Sequence, residues 1–230
     1  MIRKFVFLRR HPEIDEAAFH EACAGSHIGG DLNGQGFRAY TRHFTRNVVE
    51  PQVPGLMPEP IWDAVEESLL DPKRCDRISL RDDHELGALP AHINPDQVVQ
   101  FVAQERIVLD GPARGIRIFS LPRRRPGMSP DSFSRHYRET HGRLVAANEA
   151  FVTNCNRYVQ HHVLPETVRA TGGFIPYDGI SEFWFDSLDK ARAAWDAPSY
   201  MAELRADEKN FVGSPPSHRV LVTPSSLLAD

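Results

Sequence analysis

Tyr158, Gln160 and His162 alternate along one short run of the chain. If that run is a strand, the three project from one face, and Val159, His161 and Val163 project from the other. A phenol, an amide and an imidazole in a row are costly to bury unless each finds a partner, and a ligand in a cavity would supply partners. Further along, Ile180, Glu182 and Trp184 share a face of a second run, which would set an acid and an aromatic wall beside the polar row. His141 ends the segment that precedes both runs. Imidazole titrates nearest neutrality of all side chains, so it can deliver or remove a proton without large retuning. The set suits proton transfer: enolisation, dehydration or decarboxylation. Each residue also has a plainer use. A histidine late in a helix complements the dipole, Tyr158 and His162 would serve as hydrogen-bonded core residues, and Trp184 and Trp62 as core aromatics.

The elements that must hold these residues occur twice. Residues 2–27 read IRKFVFLRRHPEIDEAAFHEACAGSH and residues 116–141 read IRIFSLPRRRPGMSPDSFSRHYRETH, eight of 26 positions being identical at an offset of 114. Tyr40 then matches Tyr158 (offset 118), Trp62-Asp63 matches Tyr177-Asp178 and Glu67 matches Glu182 (115), and Arg106–Leu109 matches Arg219–Val222 (113). The order implies a tandem duplication with units at 1–111 and 112–230, joined near Gly111-Pro112. In the second unit, 116–121, 157–164, 179–185 and 219–223 read as strands. Ser129-Pro130-Asp131 reads as a helix start leading to His141, and 188–203 as a further helix. The expected fold is α+β: two tandem ferredoxin-like βαββαβ units, packed sheet to sheet into one α/β barrel. In the first unit, 71–91 shows no clean period, and 95–103 is the segment assigned to the second helix.

The equivalent first-unit strand reads Tyr40-Thr-Arg42-His43-Phe44. It offers Tyr40, Arg42 and Phe44 on the ligand face, or His43 if the register shifts by one residue. A buried Arg42 needs a fixed anion, which either a substrate carboxylate or a protein carboxylate would provide. His27 stands where the second unit has His141.

The strings 133–141 (FSRHYRETH), 157–165 (RYVQHHVLP) and 177–186 (YDGISEFWFD) together resemble the EthD domain of the dimeric α+β barrel superfamily. The resemblance is strong over 116–224, and the repeat carries it to 2–110. It implies a barrel, a small cavity between sheet and helices in each unit, and cofactor-free chemistry on phenolic or polyketide-like compounds. The activity expected is a lyase that decarboxylates or dehydrates an aromatic or phenolic small molecule, with cyclisation as a further outcome of the same acid–base chemistry. His141, Tyr158, His162 and His27 would be its catalytic groups, and Gln160, Tyr40, Arg42, His43, Trp184 and Glu182 its substrate-binding groups. The alternatives are a cofactor-free or haem-dependent oxygenase, with His27, His43, His141 or His162 as proximal ligand, and a non-catalytic binding protein.

Composition narrows the classes. The 230 residues are 41% apolar and 25% charged with a net charge of −4, the profile of an ordinary globular chain without the basic footprint of nucleic-acid binding. No apolar run approaches a membrane span, and Phe5-Val-Phe-Leu8 is bracketed by arginines without a cleavage site, so a cytoplasmic location is expected. Cys23, Cys75 and Cys155 lie far apart and suit neither a disulfide framework nor a zinc site. No paired-ligand spacing, nucleophile elbow or phosphate loop occurs, so neither metal nor cofactor is expected. Internal duplication removes the need for a second chain, although a homodimer through helices or edges stays open.

Overall fold

The computed structural model describes residues 1–24, 41–71, 73, 89–213 and 218–228. Strands β1 (Ile2–Arg10), β2 (Thr41–Val49), β3 (Ala64–Leu70) and β4 (Ile93–Leu109) form the first half, with helix α1 (Glu16–Ala24). The second half contains β5 (Ile116–Leu121), β6 (Cys155–Val163), the short β7 (Arg169–Ala170), β8 (Gly179–Phe185) and β9 (His218–Leu228). Its helices are α2 (Pro130–His136), α3 (Gly142–Ala147), α4 (Glu149–Asn154), α5 (Leu188–Trp195) and α6 (Arg205–Phe211), with widened π-turns at Tyr137–His141 and Tyr200–Leu204.

Antiparallel pairing runs β1-β3-β2-β9-β5-β8-β6-β4 and returns from β4 to β1, so eight strands close a barrel and β7 adds to β4 from outside. This corrects the expected fold. There are not two ferredoxin-like sheets packed face to face, because hydrogen bonding continues from β2 to β9 and from β4 to β6. The long last strand of each half makes the join: β4 pairs first with β1 and then with β6, and β9 first with β5 and then with β2. Closure leaves no free edge.

The segment 95–103, assigned to a helix from sequence, lies within β4. Val98, Val99, Phe101, Val102 and Ala103 are all buried, because that part of the strand is covered on both faces, and such strands read as continuous apolar runs rather than alternating ones. Among the described residues no helix stands between β3 and β4.

Alternation sorts the two sides of the barrel wall. Phe5, Phe7, Phe119, Leu121 and Ile180 fill the interior, while Val6 and Leu8 pack on Phe19 and Cys23 near α1. Ile118, Phe183 and Phe185 pack under the second-half helices with Ala191, Ala194 and Trp195. Matched positions of the two halves meet or repeat each other's contacts. Trp62 Nε1 donates to the Tyr177 hydroxyl at 2.9 Å, and the Phe5 and Phe119 rings meet edge-on at 6.2 Å. The amide of Arg10 donates to Asp63 at 2.8 Å, as that of Arg124 does to Asp178 at 2.7 Å.

Candidate active site

Helix α2 starts as its sequence demands: the Ser129 hydroxyl accepts from the Ser132 amide, and Pro130 occupies the first turn. After one further turn the helix widens at Tyr137–His141. Residues five apart fall on different faces of a regular α-helix, whereas a π-turn brings them closer, and such turns are frequent at functional sites. Here it turns both His136 and His141 toward Asp207 of α6. His136 Nε2 lies 2.8 Å from one carboxylate oxygen and His141 Nδ1 3.0 Å from the other. Burial works against the Asp207 charge, but hydrogen bonds from His141 and His136 outweigh it and hold the carboxyl below its ordinary pKa. With Nδ1 committed to Asp207, Nε2 of His141 is the nitrogen left for a ligand.

His141 lines a cavity of about 580 Å³ between the helices and the outer face of the barrel wall. Tyr177, Phe183, Trp195, Tyr200 and Phe211 supply aromatic walls, and Ser120, Ser181, Arg123 and Arg219 supply polar points. Ser181 is the hub of the wall behind it: its hydroxyl lies 2.6 Å from the Tyr137 hydroxyl and 3.3 Å from that of Tyr158. Gln160 donates to the Tyr158 hydroxyl at 3.0 Å and to the Tyr137 carbonyl at 2.7 Å. This close approach needs Gly142 in the helix, since a Cβ there would sit 3.1 Å from the Gln160 amide. Burial pushes Tyr158 up to about 12 and Tyr137 well above its ordinary value, so both phenols stay protonated.

The remaining residues singled out from sequence are distributed more widely. His162 shares the strand face of Tyr158 and Gln160 but lies beyond the Tyr137 ring, whose centroid is 5.0 Å from His162 and 6.2 Å from His141. It opens on a separate cleft of about 400 Å³, with Nδ1 2.9 Å from the Ser134 hydroxyl. Burial, reinforced by Arg138 and Arg106, pushes it down to about 4, so it is neutral at pH 7.

Glu182 and Trp184 do not flank the Tyr158 row. Gln160 is opposite Ser181 and Tyr158 opposite Phe183, which turns Glu182 into the barrel. There it takes His161 Nε2 at 2.7 Å, Arg117 Nε at 3.0 Å and Trp184 Nε1 at 2.7 Å. Burial opposes its charge, but Arg117 and His161 outweigh that and hold it well below the usual carboxylate range.

Arg42 is exposed and pairs with Asp71 at 3.0 Å, so it is no buried carboxylate anchor. His43 Nε2 lies 3.1 Å from the Thr45 hydroxyl. His27, Tyr40 and Cys75 lie outside the described residues.

The register also corrects the repeat alignment on this strand. Thr45 faces Glu67 as Val159 faces Glu182, so Phe44, Arg46 and Asn47 hold the places of Tyr158, Gln160 and His161. Sequence reasoning did not single out Asp207, His136, Tyr137 or Ser181 as functional. His136 and His141 are five residues apart, a spacing that belongs to no one face of a regular helix. Among the described residues no group of three or more His, Cys, Asp or Glu side chains is arranged to hold a metal ion, and no helix is long and apolar enough to cross a membrane.

Residues 125–215 match the EthD domain model, a span that contains the His141–Asp207 pair. A search among curated proteins finds no match. Among solved structures, an anthrone oxidase-like protein is similar at 10% identity with a TM-score of 0.58, covering 99% of this chain and 92% of the other. A candidate monooxygenase of Fusobacterium nucleatum subsp. nucleatum aligns at 6% identity with a TM-score of 0.49, covering 100% and 94%. A second, from Lactobacillus acidophilus, aligns at 9% identity with a TM-score of 0.48, covering 99% and 95%. The first of these shares the fold described above, an antiparallel barrel of eight strands with helices packed outside.

Proposed function

We propose that the protein is a cofactor-independent lyase, a reading supported by the match of residues 125–215 to the EthD domain model. It removes water or carbon dioxide from an aromatic, phenolic small molecule by general acid–base catalysis. The observation that carries this reading is the Asp207–His141 pair opening onto an aromatic-walled cavity. Asp207 accepts from Nδ1, which fixes the tautomer with a basic Nε2, and it stabilises the imidazolium once a proton has been taken. Aromatic side chains suit a flat ring and keep the pair dry.

In the dehydration form, Nε2 takes the phenolic proton and the electron pair moves through the ring to the benzylic carbon. The benzylic C–O bond breaks, and the same proton passes from Nε2 to the departing hydroxyl, giving water and a quinone methide. Ser181, held by Tyr137 and Tyr158, offers the ligand oxygen a positioned hydroxyl on the cavity wall.

A positioned acid–base contributes about 10²- to 10⁴-fold, so His141→Ala is expected to lose that order of turnover while keeping its thermal transition. The assay follows phenolic acids and hydroxybenzylic phenols by chromatography, with and without air. Unchanged turnover in His141→Ala removes the assignment. Product formation that consumes dioxygen and incorporates oxygen overturns the lyase in favour of an oxygenase.

A further inference from the structure

The turn after β1 reads Arg9-Arg10-His11 and the turn after β5 reads Arg123-Arg124-Arg125, at matched positions of the repeat. In the first half both arginines are consumed by one carboxylate. Asp63 takes Arg9 at 3.4 Å and Arg10 at 3.4 Å, and Arg10 also reaches Glu16 at 3.6 Å. In the second half Asp178, the counterpart of Asp63, binds Arg124 alone, through its amide and its guanidinium.

Among the described residues Arg123 meets no carboxylate. Its Nε donates to the Ile175 carbonyl at 2.8 Å, and its guanidinium packs over the Phe174 and Tyr177 rings at 4.7 and 4.8 Å, leaving both terminal nitrogens for another acceptor. Arg125, where the first half has His11, is exposed and pairs with no acid among the described residues. Two unmatched cations therefore stand on one turn of a chain whose net charge is −4.

They line a cleft of about 610 Å³ in which the one acid, Asp178, is already neutralised by Arg124. Arg123 and Tyr177 belong to the wall of this cleft and to that of the 580 Å³ aromatic cavity, so the two spaces meet at these side chains. An arginine packed over two aromatic rings and held through its Nε loses little freedom on meeting a planar or tetrahedral oxyanion, and it presents paired donors to it.

We propose that Arg123 and Arg125 form an oxyanion subsite continuous with the aromatic cavity, so that the substrate carries a carboxylate or phosphate extension beyond its ring. This rests on the aromatic-cavity reading above. Titration calorimetry of the full chain with 2-naphthol, 2-naphthoate, 2-naphthyl phosphate and inorganic phosphate tests the two separately.

The acidic naphthalenes are expected to bind about tenfold more tightly than 2-naphthol. Arg125→Gln, at an exposed position, should lose most of that gain and leave 2-naphthol binding unchanged, and Arg123→Gln should lose the gain as well. High salt should shrink it. Equal affinity for 2-naphthol and its acidic relatives, or a gain untouched by Arg125→Gln, overturns the subsite and leaves the aromatic cavity standing. Inorganic phosphate that binds in an Arg125-dependent way while 2-naphthol does not bind supports the subsite and overturns the aromatic cavity; failure of all four ligands overturns both.

Discussion

Where the second half has Gln160 opposite Ser181, the first half has Arg46 opposite Glu66. Arg46 and Glu66 form an ion pair at 2.6 Å with both side chains almost fully buried, and Arg46 reaches on to the carbonyl of Cys23 in α1. Charge thus fills the space between sheet and helix and ties the helix down. The second half has a neutral amide and a small hydroxyl there, bonded sideways to Tyr158 and Tyr137, and a cavity opens above Ser181. One strand position decides whether the helix side is a plug or a wall of a site. The other wall face shows the opposite trend: Asn47 holds Glu67 at 2.7 Å as His161 holds Glu182 at 2.7 Å, and Arg117 bridges both acids. The interior keeps its pairing while the exterior diverges.

The sharpest way to break this contrast is at Asp207, which has the largest expected effect. In Asp207→Asn the amide can either accept from or donate to Nδ1 of His141, so it no longer fixes the tautomer or balances an imidazolium, and turnover should fall by up to the whole of the about 10²- to 10⁴-fold that the base contributes, with the fold intact. The checks are steady-state kinetics beside circular dichroism; a loss under tenfold would show that the dyad is structural.

The next effect belongs to the first half and is one of stability. Glu66→Gln removes the carboxylate that Arg46 meets at 2.6 Å, and breaking a buried ion pair at one partner should cost about 3–5 kcal/mol. Ser181→Ala, at the matched place, removes a neutral hydroxyl shared by two buried phenols and should cost about 1–3 kcal/mol. Denaturant unfolding of both variants measures the difference, and equal costs would remove the distinction between plug and wall.

Most of the strands, the inside–outside alternation and His141 could be read from sequence because each depends on local pattern. Closure could not. It depends on β4 and β9 running past their own halves, and Pro95-Asp96 at the start of β4 gave no sign of a seventeen-residue strand. Glu182 was set on the wrong face for a similar reason: alternation fixes faces within a strand, but only pairing fixes them between strands. The Tyr40–Tyr158 identity drew the repeat four residues out of step, so Arg42 stood in for Arg46. Asp207 carries no motif. It becomes visible only once the π-turn has brought His136 and His141 to the same side.

His162 gives the smallest effect and bears on the same contrast, since the register sets Val48 at its place in the first half. Burial and the nearby Arg138 and Arg106 lower its pKa from the ordinary 6.5 to about 4. Above 6.5 it is neutral in both folded and unfolded chains and exerts no pull on the equilibrium. Below 6.5 the unfolded chain takes up a proton that the folded chain refuses, so stability should fall between pH 6.5 and about 4 and then level off for this group. Asp207, whose pKa is also lowered, adds its own loss at a more acidic range, as pH falls below its ordinary 3.8. The two windows are separable. His162→Val, which gives the second half the residue of the first, should make the upper window shallower, to the extent not set by His20, His92 and His218, and leave the lower one, as followed by urea unfolding across pH. A slope between pH 6.5 and 4 that is unchanged in His162→Val would place the acid-sensitive group elsewhere, with His20, His92 and His218, all lowered chiefly by burial, as the next to replace.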